Sequence, residues 1–382
     1  MRLLIISSVG VEPGSSAAGA RMMQLIGLFH DLNFSISYAS TAATSDFAVP
    51  LKDLGIDEHF IKVNDPSFDE FVLGIKPEMV LFDRFMTEEQ FGWRVAKQCP
   101  DALRVLDTED LHCLRNARQS AVSHGIAFEE SQLIRDGAFR ELASIWRCDL
   151  SLIISSFEME LLQRFFKVDE ALLHYLPFVL SDHEMADQTN LKKYEDRADF
   201  VSIGNFRHAP NLDAVHQLKH HHWPVIRAEL PNARLHIYGA YAFDEVLQMH
   251  DEQSGFLVRG RASSAEKVIS DAKVMLAPLR FGAGLKGKLI DAMRFGTPSV
   301  TTTIGAEAMH GNHPWNGAIA DEAKEFKEAA VQLYRSRTRW KRAQTNGSKI
   351  LKDLFHRSHH QAVFNDRLKQ LMENYRMIRQ KN

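Results

Sequence analysis

Three glycines and a lysine lie where they could hold a phosphate. In the stretch LAPLRFGAGLKGKLIDAMRFGTPSV (276–300), Gly282, Gly284 and Gly287 have the spacing G-x-G-x-x-G, with Lys286 inside it. Glycines let backbone N–H groups approach an anion closely. A helix expected over about 285–295 turns its positive end toward the same anion. Lys286 adds a full charge in the first turn. Asp291, five residues on, could accept hydrogen bonds from two ribose hydroxyls. Together these describe a site for a nucleoside diphosphate. A loop cut close for packing, with Lys286 in solvent, would use the same residues. A dinucleotide turn fits less well. Such a fingerprint follows the first strand of its domain and is answered about 20 residues later by an acid. Here the loop follows the fourth strand expected in its domain, and the next strand ends VTTT without an acid.

Other polar groups cluster after apolar runs. Gly14, Ser15, Ser16 and Gly19 separate the first apolar run from a helical pattern, a helix start that could face a diphosphate or an acceptor. Arg21 stands in the first turn of that helix, where the macrodipole disfavours a cation, so it is a candidate ligand contact. FDRF (82–85) places Asp83 and Arg84 at a strand end, where they could touch a ligand. LDTEDLHCLR (106–115) is dense in polar groups, and a structural histidine is one reading of His112 within it. Gly204, Asn205 and Arg207 end a later strand; Arg207 could reach a diphosphate or sit on the surface. The histidine runs KHHHW (219–223) and FHRSHH (355–360) are not read as metal sites, because adjacent side chains on a helix diverge. No DxD ends a strand, so no required divalent metal is expected.

These residues need elements to hold them. In the first half, the apolar runs 2–8, 34–40, 59–63, 78–84, 103–109 and 150–156 alternate with helical segments at 19–31, 67–75 and 87–98. Near-continuous apolar runs belong to parallel sheets covered on both faces. TEEQ (87–90) fits a capping box opening one helix. The polar stretch 181–197 reads as a linker, after which strands are expected at 200–206, 233–240, 255–261, 273–279 and 298–303. Helical patterns close the chain at about 321–335, 337–353 and 358–379. The expectation is α/β throughout: two doubly wound Rossmann-like domains facing a deep cleft, residues 1–180 and 198–356. The last helix, about 357–382, crosses back onto the first domain. Ligands of such sheets bind outside the strand carboxyl ends where strand order reverses, which gives one substrate on each wall of the cleft.

The bulk properties exclude several classes. The chain has 382 residues, a length that favours two domains, and a net charge of −3, which gives no basic field for nucleic acid. Its three cysteines, Cys99, Cys113 and Cys148, are odd in number and form no CxxC, so a reducing compartment, the cytoplasm, is expected. The apolar run Leu3–Ile6 is too short for a signal peptide or a membrane span and reads as a buried strand.

The segment PLRFGAGLKGKLIDAMRFGTPSVTTTIGAEAM (278–309) resembles the donor-site segment of family-4 retaining glycosyltransferases of the GT-B architecture. Their pattern there is approximately G-x-G-x-K-x-K-x-x-E-A-M-x-x-G-x-P-V-V-x-T-x-x-G. FVSIGNFRHAPNLDAV (200–215), LPNARLHIYG (230–239) and SSAAGARMMQL (15–25) are similar to supporting segments of that family. The resemblance implies that Lys286 binds the donor diphosphate, with Gly282, Gly284, Gly204, Asn205 and Arg207 near it, and that Asp291 stands for the family's ribose-binding glutamate. It implies that Glu307 reaches the donor sugar or ribose and that His112 lies near the reacting sugar. Ser15, Ser16, Gly19, Arg21, Asp83 and Arg84 would then face the acceptor. Many members carry a glutamate at the place of Ala283, although subgroups with GAGxK also lack it. The implied activity is transfer, with retention, from a nucleoside-diphosphate sugar to a hydroxyl acceptor such as a sugar or lipid-linked sugar, in polysaccharide or glycoconjugate synthesis. No separate cofactor is implied, and a weak peripheral contact with a membrane is compatible with it. The alternatives are a sugar-nucleotide epimerase on the same architecture and a non-catalytic nucleotide-sugar-binding partner, which Ala283 would favour.

Overall fold

The computed structural model describes residues 1–43, 45–185 and 190–379, with side chains through 373. Two all-parallel sheets carry the fold. The first has β1 (Arg2–Ser7), β2 (Ser35–Ser40), β3 (Asp57–Phe60), β4 (Met79–Asp83), β5 (Leu103–Asp107), β6 (Leu150–Ile153) and β7 (Leu173–Tyr175), in the order β3-β2-β1-β4-β5-β6-β7. The second has β8 (Ala198–Ile203), β9 (Leu235–Tyr238), β10 (Phe256–Gly260), β11 (Ala272–Ala277), β12 (Ser299–Thr301) and β13 (Gly317–Ile319), in the order β10-β9-β8-β11-β12-β13. Strand order reverses between β1 and β4 in one sheet and between β8 and β11 in the other. This is the two-domain Rossmann-like architecture that the alternating pattern predicts.

The apolar runs are buried on both faces. Leu4, Ile6, Val80 and Phe82 pack on one side of the first sheet, and Leu3, Ile5, Met79 and Leu81 on the other. Alternate side chains of a strand point to opposite faces, so a sheet layered by helices on both sides needs every position apolar. Phe200, Leu235 and Val274 lie on one face of the second sheet. A further cluster joins the two sheets: Ile154, Phe178 and Leu180 pack with Leu285, Leu289 and Ile290. The chain crosses between the sheets twice. The Leu180 N–H donates to the Phe355 carbonyl and the Arg357 N–H to the Leu180 carbonyl, both at 2.8 Å. The helix Arg357–Arg379 then lays Phe364 and Leu368 into the core of the first sheet.

Details differ from the sequence expectation. The edge strands β7 and β13 were not foreseen; LHY and GAI are too short to show a period. TEEQ does not open its helix. The helix Phe85–Gln98 begins two residues earlier, and Thr87 is buried inside its first turn. The backbone of Arg84, at φ 71°, makes the entry turn instead. The linker expected at 181–197 holds a short 3₁₀ turn at Tyr194–Asp196, while its residues 186–189, and residues 380–382 of the last helix, lie outside the described residues.

Candidate active site

Both strand-order reversals open onto one cleft of about 720 Å³. The loops after β1, β4 and β5 form one wall and those after β8, β9 and β11 the other.

The glycine loop follows β11. Gly282 has φ 148° and Gly284 φ 61°, left-handed conformations that glycine adopts without strain. A Cβ on Gly284 would lie 2.9 Å from the Cβ of Asp110 on the facing wall. The loop feeds the helix Gly287–Arg294 with Lys286 at its N-cap. Across the cleft the helix Ala17–Asp31 begins, its first N–H groups capped by Ser16 Oγ, which accepts from the Gly19 N–H at 3.0 Å. The two helix starts touch: a Cβ on Gly287 would lie 2.7 Å from that of Ala17. Two positive helix ends therefore converge on one point. Ser15 Oγ is buried in the same wall and has no hydrogen-bond partner among the described residues.

Two lysines stand beside this point. Lys286 is buried; its ammonium donates to the Gly284 carbonyl at 2.8 Å, and burial lowers its pKa despite nearby Glu307. Lys288 also lines the cleft and donates to Asn211 Oδ1 at 2.7 Å, with desolvation lowering its pKa to about 7. Asn205 Oδ1 accepts from the Arg207 N–H, fixing the turn after β8, and the Arg207 guanidinium lies 3.7 Å from the centre of the Tyr241 ring. Asp291 accepts from Arg294 at 3.0 Å, and burial raises its pKa. Each of these side chains lines the cleft.

The residues singled out in the sequence that line this cleft include Lys286, Arg207, Gly204, Asn205, Gly282, Gly284, Asp291, Ser15, Ser16, Gly19, Asp83 and Arg84. Gly19 is also required by packing, since a Cβ there would fall 2.4 Å from the Glu12 carbonyl. Three do not line it. Arg21 is buried within the first domain, where it pairs with Asp107 at 2.8 Å and donates to the Leu176 and Pro177 carbonyls. The helix begins at Ala17, so Arg21 stands past its first turn, and the Asp107 carboxylate rather than a ligand matches its charge. His112 opens the helix His112–Ser123, with its ring edge-on to Phe85; burial lowers its pKa to about 4, so it is neutral at pH 7. Glu307 is held by Arg118, at 2.8 and 2.6 Å, and Arg118 also donates to the Gly282 carbonyl. Glu307 therefore braces the glycine loop from behind.

Sequence reasoning missed Lys288, His208, Arg118 and Glu158. Lys288 follows Lys286 at a K-x-K spacing that was there to be read. His208 follows Arg207 and lines the cleft. Arg118 and Glu158 belong to the first domain and act on the second. Glu158 Oε1 accepts from the Leu111 and Gly284 N–H groups, both at 2.9 Å, and burial pushes its pKa up to about 8. Nothing local in the sequence links them to a loop more than 100 residues away. Among the described residues no group of three His, Cys, Asp or Glu side chains is placed to hold a metal ion, and no helix is long and apolar enough to cross a membrane.

Residues 197–336 match the family model described as glycosyl transferases group 1. No curated protein matches the chain in sequence. Solved structures match it over nearly its whole length. The sucrose-phosphate synthase of Thermosynechococcus elongatus has a TM-score of 0.70 at 14% identity, covering 98% of this chain and 100% of that one. The pneumococcal O-GlcNAc transferase GtfA, in complex with UDP and GlcNAc, has a TM-score of 0.70 at 12% identity, covering 97% and 99%. Anabaena HepE, in complex with UDP and glucose, has a TM-score of 0.69 at 11% identity, covering 97% and 100%. The match to glycosyl transferases group 1 falls on the second domain of this chain, and the chain as a whole shares the two-domain GT-B fold of these solved glycosyltransferases.

Proposed function

We propose that this glycosyltransferase moves a sugar from a nucleoside-diphosphate sugar to a hydroxyl acceptor, with retention at the anomeric carbon. The observation that carries the reading is the meeting of two helix N-termini at Ala17 and Gly287, beside Lys286 and Lys288, where both sheets reverse their strand order. Fixed positive groups at such a point stabilise the charge that develops on a departing diphosphate. In the step, the bond from the anomeric carbon to the phosphate oxygen breaks and a bond to the acceptor oxygen forms on the same face. The hydroxyl proton passes to the diphosphate. Lys286, Lys288 and Arg207 face the diphosphate, Asp291 the ribose, and Gly204, Asn205, Gly282 and Gly284 line the cleft beside them. His112, which packs behind the cleft, would act through Asp110, 3.5 Å from its Nε2, rather than by touching the sugar.

Residues 1–180 with the helix 357–382 are taken as the acceptor domain, 198–356 as the donor domain and 181–197 as the linker. UDP in the complexes of GtfA and HepE supports uridine diphosphate as the first donor nucleotide to test. We place the enzyme in the cytoplasm, supported by the three free cysteines, in polysaccharide or glycoconjugate synthesis. A second reading, a nucleotide-sugar-binding partner without turnover, draws on Ala283, whose methyl packs into the core of the first domain. Incubation with UDP-, GDP-, ADP- and dTDP-sugars, reading released nucleotide, separates the two. Lys286→Ala should lower turnover by about 10²-fold, the scale of removing one preorganised charge-stabilising donor. Unchanged turnover in that variant overturns the donor assignment.

A further inference from the structure

The first-domain wall carries a second group of polar residues, to which the reading above gives no part in holding the donor. Asp83 ends β4 beside Ser7, which ends β1, at the reversal of strand order in the first sheet. Asp83 is only 2% exposed yet lines the cleft. Its Oδ2 accepts from Ser7 Oγ at 2.5 Å and from Arg84 at 3.1 Å, while its buried Oδ1 has no partner among the described residues. Glu109, two residues beyond β5, lines the same wall, and its Oε1 is likewise buried without a partner. The chain bends sharply to place both groups: Arg84 has φ 71° and Glu109 φ 62°, left-handed conformations that strain a residue with a side chain. Two adjacent strands are thus each followed by a strained residue and carry, on a residue that lines the cleft, a carboxyl oxygen without a partner. Buried polar atoms without partners are costly, and a ligand that bonds to them removes that cost.

We propose that Asp83 and Glu109 form the acceptor subsite and hold two hydroxyls of an uncharged sugar ring. Its role as acceptor site rests on the transferase reading above; its sugar chemistry rests on the wall itself. The charges around it are already matched. Arg84 pairs with Asp83, Arg21 with Asp107, and Arg115 with Asp110. Glu109 is the carboxyl left over, and burial together with Asp107 pushes its pKa up to about 8, so it carries its proton at pH 7. A cationic ring finds no uncompensated carboxylate, and an anionic ring finds no unpaired arginine. A protonated carboxyl donates and accepts while an ionised one only accepts, and ring hydroxyls meet both.

Ligand-observed NMR with UDP present tests this directly. The probes are methyl α-glucoside, methyl α-mannoside and methyl α-galactoside, with glucuronic acid and glucosamine as charged counterparts. At least one neutral glycoside should bind the wild-type protein, with both charged sugars at least about tenfold weaker. Asp83→Asn and Glu109→Ala should each weaken the neutral glycoside about tenfold, the cost of one charge-assisted or buried hydrogen bond. Glu109→Ala disturbs no ion pair and so serves if Asp83→Asn misfolds; a UDP titration of each sample reports folding. Equal binding by both variants, charged sugars binding as tightly, or UDP binding with no neutral glycoside bound would each overturn the subsite. Glycoside binding without affinity for any nucleoside diphosphate would keep the subsite and sink the transferase reading.

Discussion

Single residues in this protein divide into those that bring charge to the cleft and those that must stay neutral for the fold. Lys286 and Lys288 are two residues apart, yet one folds back on its own loop and the other reaches Asn211, so the pair presents two separately anchored ammonium groups to the same cleft. His222 belongs to the second kind. It is buried against Phe326, at 4.4 Å between ring centres, and its Nδ1 has no hydrogen-bond partner among the described residues. Burial, with His221 beside it, lowers its pKa to about 4. The unfolded chain therefore binds a proton near pH 6.5 that the folded chain refuses until about pH 4. Its contribution to stability is complete above pH 6.5 and is lost as pH falls, at up to about 1.4 kcal/mol per pH unit. His174, lowered to about 4 by burial, acts in the same direction. The melting temperature should fall between pH 6.5 and 5, and His222→Leu should flatten that fall; parallel curves would show that His222 does not titrate as described. Residue types that act alone were legible in the sequence, as with the glycines and Lys286. Those that act through a distant partner were not: Arg21 looked like a ligand contact because Asp107 lies 86 positions away.

At the scale of elements, the loop between β11 and the helix Gly287–Arg294 does two jobs, lining the cleft and touching the opposite wall. Gly284 is where the two meet. An alanine there takes on a left-handed φ and sets its Cβ 2.9 Å from that of Asp110. Gly284→Ala should cost about 1–3 kcal/mol in stability and weaken UDP binding, because the wall can move only by opening the cleft. Gly125 has nearly the same φ of 63° but nothing within 4 Å of its Cβ position. Gly125→Ala should lower the melting temperature by the backbone cost alone and leave UDP affinity in place. Equal UDP affinities in the two variants would separate the loop from the nucleotide. Most elements were readable because a strand buried on both faces is a continuous apolar run, as in LLII of β1 and MVLF of β4. The exceptions have physical causes: β7 and β13 are three-residue edges, and TEEQ carries the residue types of a capping box while Arg84 makes the turn.

In the whole molecule, the two domains are joined behind and latched in front. Behind, the backbone exchange between Leu180 and Phe355–Arg357 and the returning helix tie both crossings to one place. In front, Arg118 of the first domain grips Glu307 and the Gly282 carbonyl, Glu158 accepts the Gly284 N–H, and the Tyr241 hydroxyl donates to Glu12. Arg118 is 5% exposed and Glu307 15%, so their attraction is little screened, and losing one partner leaves the other charge buried. Glu307 stands in the segment that resembles a donor site, which is why it read as a sugar contact; only the packing of the domains reveals that its partner is an arginine. Arg118→Ala removes the latch and leaves the backbone joint behind in place, while it also takes the guanidinium off the Phe128 and Phe157 rings. Small-angle scattering should then show a larger radius of gyration than for the wild-type protein, with UDP restoring part of the compaction. Turnover should fall on the order of 10²-fold, as expected when reacting groups are misplaced by about an ångström. Glu307→Gln, which keeps the shape and loses the charge, should fall between the two. If Arg118→Ala scatters like the wild-type protein and turns over at the same rate, the front contacts follow domain closure rather than hold it, and the apolar contact of Phe178 and Leu180 with Leu285 and Leu289 suffices to set the width of the cleft.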